Sequence, residues 1–240
     1  MKPTARRGTL RSLAARLFPT EPGGAPHPYG VLPPLLIVLT FVSGLVDAVG
    51  FLGLDHVFVA NMTGNVVFLG FALAGDRELS VAASLLALAA FAVGAAVAGR
   101  LRRGASAARM FEPLVAAQAI LVAGALALAA GGAGRLAVVV LLALGMGLQN
   151  AVVHRVGVPD LTTTVLTRTL TALAADPWGP AAVRRIVSVA ALLLGALAGG
   201  ALTLHHGARW ALAAAVALLV WVAFTAYREG AARRGRSDRS

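Results

Sequence analysis

Apolar residues fall into eight runs along the chain, at about 31–54, 61–75, 80–99, 111–131, 136–155, 161–175, 181–204 and 209–227. Asp76-Arg77-Glu78, the Arg100–Arg109 loop, Gly131–Arg135, Val158-Pro159-Asp160, Asp176–Pro180 and His205–Arg209 separate them. These are residues that end helices or prefer water. Six runs have about the ~20 residues that a helix needs to cross a bilayer. The runs 61–75 and 161–175 hold 15 positions each, and as helices they would rise only ~22 Å against a hydrocarbon core of ~30 Å. The second is also too polar to face lipid, with Thr162, Thr163, Thr164, Thr167, Arg168, Thr169 and Thr171. The pattern predicts an all-α, polytopic helical membrane protein with six full spans and two short re-entrant or broken helices.

One phrase occurs twice. GLVDAV, from Gly44 to Val49, returns as GLQNAV from Gly147 to Val152, 103 positions later. Met62-Thr63-Gly64-Asn65 answers Leu166-Thr167-Arg168-Thr169 at 104, and Gly94 and Ala98 answer Gly195 and Gly199 at 101. The order is kept, as expected of a duplicated four-element unit covering 31–131 and 136–227. With three crossings per unit the second copy enters the bilayer upside down, giving two inverted repeats.

Composition agrees. Hydrophobic residues make up 58% of the 240 positions and charged ones 13%, and the mean hydropathy is +0.81. Absence of cysteine excludes disulfides and thiol chemistry. The net charge of +11 is concentrated in three places: Lys2, Arg6, Arg7, Arg11 and Arg16; Arg100, Arg102, Arg103 and Arg109; and Arg228, Arg233, Arg234, Arg236 and Arg239. Six crossings put all three clusters on one face, whereas eight would strand the middle one opposite. The positive-inside bias therefore selects six, with both termini cytoplasmic. The organisation is a basic leader (1–30), a single transmembrane domain (31–227) and a basic tail (228–240).

No folded basic module accompanies the charge, so nucleic acid is not an expected partner. The run 31–54 is longer than a signal-peptide core and lacks a cleavage pattern, so it reads as a retained span. Leu10, Leu13, Ala14, Leu17 and Phe18 have helical spacing; the leader is either a short interfacial helix or an unstructured basic segment. Tyr29, Tyr227 and Trp210 suit interfacial anchors. An Ala- and Arg-rich chain whose one lysine is Lys2 fits a GC-rich bacterial genome, and hence a bacterial cell membrane.

The candidate chemistry lies where the helices break. Backbone that leaves a helix inside a membrane must be buried in protein or line a wet cavity. Gly53–Ala60 and Gly157–Asp160 would do this, each before a short helix. Asn61 or Thr63 is the expected cap of the first, Asp160 or Thr162 of the second. A helix start carries roughly half a positive charge. Two starts entering from opposite faces and meeting near mid-depth would favour an anion or a polar solute.

Asp47 is the central candidate, since a carboxylate at the centre of a spanning helix costs ~2.5–3.5 kcal/mol on insertion scales. It is either a proton- or cation-coupling group, or half of a structural pair with a capping N–H or with Arg168. Asn150 holds the related place and cannot titrate. Arg168, standing where the first unit has Gly64, either binds an anion or neutralises Asp47, or it snorkels to headgroups. Asn61, Thr63, Asn65, Gln149, Thr163 and Thr167 either line the cavity or hydrogen-bond helices together. Gly94/Ala98 and Gly195/Gly199 are small-xxx-small faces for close packing.

No Walker loop, H-E-x-x-H motif or nucleophile–base set is present. The pair His205-His206, in an outer loop, is a weak metal motif. No enzyme activity, metal or cofactor is expected.

SGLVDAVGFLGLDHVFVANMTGNVVFLG, from Ser43 to Gly70, closely resembles the signature of the YoaK-like bacterial membrane proteins, domain of unknown function 1275. GMGLQNAVVHRVG (145–157) and TTTVLTRTLTALAAD (162–176) resemble its second half. The likeness covers nearly all of 31–227. It implies an integral inner-membrane protein with about six spans and no established substrate. The resemblance also implies a Gly where this chain has Arg168.

The leading functional expectation is a secondary transporter or channel for a small polar or anionic solute. The alternative is a membrane assembly or interaction protein whose polar residues only hold helices together. The lipid bilayer and a small solute are the expected partners; homo-oligomerisation stays open. Single cysteines placed at Asp76 and at Arg103 should label from opposite sides of the membrane. Labelling from one side refutes six spans.

Overall fold

The computed structural model describes residues 31–100, 107–132, 134–158 and 166–237. The leader with Tyr29, and Asp160, Thr162 and Thr163, lie outside the described residues. The described chain forms eight helices: α1 (Leu32–Gly53), α2 (Met62–Leu73), α3 (Val81–Arg100), α4 (Ala107–Ala130), α5 (Arg135–Val156), α6 (Leu166–Ala175), α7 (Pro180–His206) and α8 (Ala208–Ser237). Six are long and apolar enough to cross a membrane: α1, α3, α4, α5, α7 and α8. A helix pairs its own backbone, which is what hydrocarbon demands of a span.

The boundaries follow local chemistry. Proline opens α1 and α7 within the first turn, where its missing N–H costs nothing. Gly157, with φ of 60°, caps α5 in the left-handed region. Two elements run beyond their apolar stretches. α4 begins at Ala107 and carries Pro113 within it, and α8 continues through the basic stretch to Ser237. Charge does not oppose a helix there, because Arg and Ala are both good helix formers.

Burial separates the spans into two classes. The best apolar windows of α1 and α5 are 67% and 61% buried inside the protein, and those of the other four between 22% and 33%. So α1 and α5 are central. The outer helices carry Leu193, Leu197, Leu204, Val93, Ile120 and Val220 exposed, as a lipid-facing surface requires.

Close packing is built on glycine. A Cβ on Gly44 of α1 would collide with the Leu192 carbonyl and lie 2.7 Å from the Ala196 N of α7, and one on Gly195 of α7 would collide with the Phe41 carbonyl. The second pair of helices repeats this: Gly147 of α5 meets the Phe91 carbonyl and Ala95 N of α3, and Gly94 of α3 meets the Leu144 carbonyl. Matching partners are 103 positions apart between α1 and α5 and 101 apart between α3 and α7. Within each pair the helices run parallel: Gly199 meets Leu45 as Gly195 meets Phe41, and Arg155 reaches the Gly99 carbonyl near the ends of α5 and α3.

Without a hydrophobic force between helices in lipid, such backbone contact supplies much of the association. Gly147→Ala should therefore destabilise the protein by ~1–3 kcal/mol through overpacking. A Cβ on Gly99 meets nothing within 4 Å, so Gly99→Ala should be neutral or stabilise by up to ~1 kcal/mol. Unfolding of the two variants in detergent checks the contrast.

Candidate functional site

α1 stops at Gly53, and Asp55 and His56 both take φ of 52°. This unusual pair of non-glycine left-handed residues turns the chain back along the helix it has just left. The Val57 N–H reaches the Gly50 carbonyl at 3.4 Å, and a side chain on Gly50 would collide with the Val57 carbonyl. Glycine at 50 thus lets the returning strand lie against α1.

The returning strand needs backbone partners, and two side chains supply them. Asp47 Oδ1 accepts the N–H of Val59 at 2.8 Å and of Ala60 at 2.7 Å. Asn65 Oδ1 accepts the N–H of Phe58 at 2.9 Å, and its Nδ2 donates to the Phe58 carbonyl at 2.6 Å. Asn65 therefore pairs with Phe58 as a neighbouring β-strand would. It is fully buried, and is the buried residue of α2.

Rings close the outer side of this turn. Phe51, Phe58 and Phe68 lie with centroids 5.3–5.9 Å apart, and the His56 ring meets Phe51 edge-on at 5.4 Å. A Cβ on Gly64 would strike the Phe58 ring at 2.6 Å, so glycine makes room for that ring. Since Phe68 meets Phe51, α2 rises from the level of Asp47 back toward the end where α1 stops.

The predicted residues thus separate. Asp47, Gly64 and Asn65 converge on the 57–60 segment. Asn61 occupies the N-cap position of α2 but makes no side-chain capping bond. The expected Asn61 or Thr63 cap is not seen; Asp47 reaches across from α1 to the N–H groups of Val59 and Ala60, ahead of the helix. Asn61 and Thr63 are exposed beside it.

In the second half Asn150 donates to the Met146 carbonyl of its own helix at 3.0 Å. Thr167 and Arg168 are exposed on α6. Arg168 forms no ion pair with Asp47 among the described residues. Its helix packs on α7, not on α1. Thr169, the counterpart of Asn65, is the buried residue of α6.

Gln149 belongs to a different network. It accepts from Gln118 Nε2 at 2.7 Å and donates to Ser43 Oγ at 2.8 Å, joining α4, α5 and α1 in the core. All three residues are buried. Sequence reading missed Gln118 and Ser43, although an amide in the apolar run 111–131 was a signal for an interhelical bond.

Two grooves lined by described residues lie elsewhere, on the sides of the bundle. One of about 410 Å³ is lined by Leu86, Leu128 and Leu136, and one of about 420 Å³ lies between α4 and α8.

Residues 35–225 match the family model described as protein of unknown function, DUF1275. The chain is also similar to the UPF0700 transmembrane protein YoaK of Bacillus subtilis (strain 168), at 33% identity over 147 residues. That match covers 59% of this chain and 65% of the relative, so it spans a little under two thirds of the relative's length. No solved structure matches.

Asn65→Leu should leave both Phe58 backbone groups unpaired, at ~1–3 kcal/mol each. Asp47→Leu should strand the N–H groups of Val59 and Ala60 at a similar cost per group. Asp47→Asn, which retains a carbonyl oxygen, should cost clearly less than Asp47→Leu. Thermal unfolding of the three variants measures the order.

Proposed function

The chain belongs to the DUF1275 family, and on that premise we propose a secondary transporter or channel for a small polar or anionic solute, not an enzyme. It would sit in a bacterial cell membrane with both termini cytoplasmic. Its two halves, 31–131 and 136–227, are taken to be inverted repeats, each with one short helix that enters and leaves on the same side. The matched glycine contacts between α1 and α7 and between α5 and α3 support that relation.

One observation carries the reading. Non-helical backbone at 57–60 lies beside Asp47, six positions and so ~9 Å below the end of α1, with Asn61 and Thr63 exposed next to it. Irregular backbone at such depth is buried in protein or lines a wet cavity; the segment itself is buried, and in this reading Asn61 and Thr63 open from its end onto the cavity. Asp47 is the coupling group in this reading, and Asn61 and Thr63 touch the solute. Thr163, Thr167 and Arg168 would contribute from the second half.

A second reading has its own support. The polar atoms of Asn65 and Gln149, and one oxygen of Asp47, already bond within the protein, as in an assembly protein whose polar groups only join helices. Flux separates the two. Purified protein in liposomes, tested with a panel of small anions and neutral polar solutes and a lumenal pH dye, should move at least one solute. Asp47→Asn should abolish the accompanying proton movement while the protein stays folded. No flux for any solute, or Asp47→Asn and Thr63→Ala changing stability but never flux, favours the assembly reading.

A further inference from the structure

The groove between α4 and α8 has an ordered polarity that the transport reading does not use. It holds about 420 Å³, and Ala116, Ile120, Val220 and Phe224 give it apolar walls. Its length from Glu112 to Ala123 is 11 helical steps, or ~16 Å. The helices run antiparallel here, so Glu112 and Tyr227 line one end and Ala123 and Val216 the other.

The polar end sits at headgroup level. Glu112 is two positions inside the span Met110–Ala130, ~3 Å from its end. It has no hydrogen-bond or ion-pair partner among the described residues. At headgroup level its carboxylate is therefore open to a cationic head group as well as to water. Arg228 stands beside Tyr227 with its guanidinium 5.5 Å from the Phe224 ring centroid, and it makes no salt bridge with Glu112. The groove thus has a carboxylate in its lining and, over the lining residue Phe224, a guanidinium at its border.

That arrangement fits one class of molecule. We propose that the groove binds a phospholipid with an ethanolamine head group: its ammonium on Glu112, its phosphate on Arg228 and one acyl chain along the trough. A primary ammonium gives Glu112 charge-assisted N–H bonds. A guanidinium matches phosphate oxygens in a fork. A choline head carries the charge without N–H donors, and a glycerol head offers Glu112 no cation. Of these three head groups, ethanolamine alone suits both the carboxylate and the guanidinium.

The test is unfolding of the full purified chain in detergent, titrated with phosphatidylethanolamine, phosphatidylcholine or phosphatidylglycerol of the same acyl chains. A ligand that binds the folded form raises its unfolding temperature. The ethanolamine lipid should stabilise at the lowest concentration. Glu112→Gln should raise its half-saturating concentration by roughly tenfold, to the level of the choline lipid, as expected for one charged hydrogen bond. Arg228→Gln should weaken all three lipids. Ala123→Phe, which fills the trough, should abolish every lipid effect while leaving the lipid-free unfolding temperature unchanged. Equal stabilisation of the wild type by all three lipids overturns the proposal. So does a preference that survives Glu112→Gln. Dimers that Ala123→Phe dissociates, with no lipid response, would assign the groove to a second copy instead.

Discussion

Two N–H bonds to one carboxylate oxygen allow this chain to leave its helix among apolar side chains. Val59 and Ala60 lie where water cannot readily reach them and where no neighbouring helix offers a carbonyl. Asp47 takes both protons on Oδ1, and Asn65 takes the remaining pair of backbone groups at Phe58. Each unmade bond there would cost ~1–3 kcal/mol. The left-handed turn at Asp55 and His56, the glycine at 50 and the stacked rings all presuppose that the strand between them is paired. Remove Asp47 and they have nothing to hold.

The same economy of backbone contact governs the spans. Gly44, Gly94, Gly147 and Gly195 bring helix axes together until carbonyls touch the facing backbone. In lipid, where apolar side chains gain little by leaving the solvent, such approach is what makes one helix pair preferable to another. It also fixes which helices are central. α1 and α5 each carry a glycine facing a parallel neighbour, and each is covered over most of its surface.

Much of the frame was legible because membrane helices obey length and charge. The eight runs became eight helices, and the two short runs became the two short helices. The 103-residue echo of GLVDAV in GLQNAV is carried by glycines at 44 and 147, whose backbone contacts it now explains. Less was legible where a side chain acts across the fold. Asn61 and Thr63 stand at the start of α2, and local capping rules point to them. Neither caps it; Asp47 instead bonds the Val59 and Ala60 N–H groups of the segment ahead of the helix. Gln118 had no echo in the other half, so reading by repetition passed over it. The aromatic cluster was hidden because Phe51, Phe58 and Phe68 share no helical period; only the reversal at Asp55 brings them together.

Matched packing and unmatched polarity together constrain what the molecule does with its two halves. The contacts of Gly44 and Gly195 match those of Gly147 and Gly94, but Gly199 answers to Ala98, Asp47 to Asn150, Gly64 to Arg168 and Asn65 to Thr169. A strand pinned by a carboxylate and an amide is held by polar bonds at fixed geometry. Gln118 and Gln149 then join α4 to α5, and Gln149 and Ser43 join α5 to α1, so the two central helices are also linked by polar bonds. The Asp47 turn is thus held from α1 and α2, whereas α6 is tied to α7, where Arg185 donates to the Ala172 carbonyl at 2.9 Å and pairs with Asp176 at 2.7 Å. The matched glycine contacts thus carry different polar ties at the two short helices. Any rearrangement that preserves the glycine contacts must therefore keep or remake different polar bonds in each half: those of Asp47 and Asn65 in the first, and those of Arg185 in the second.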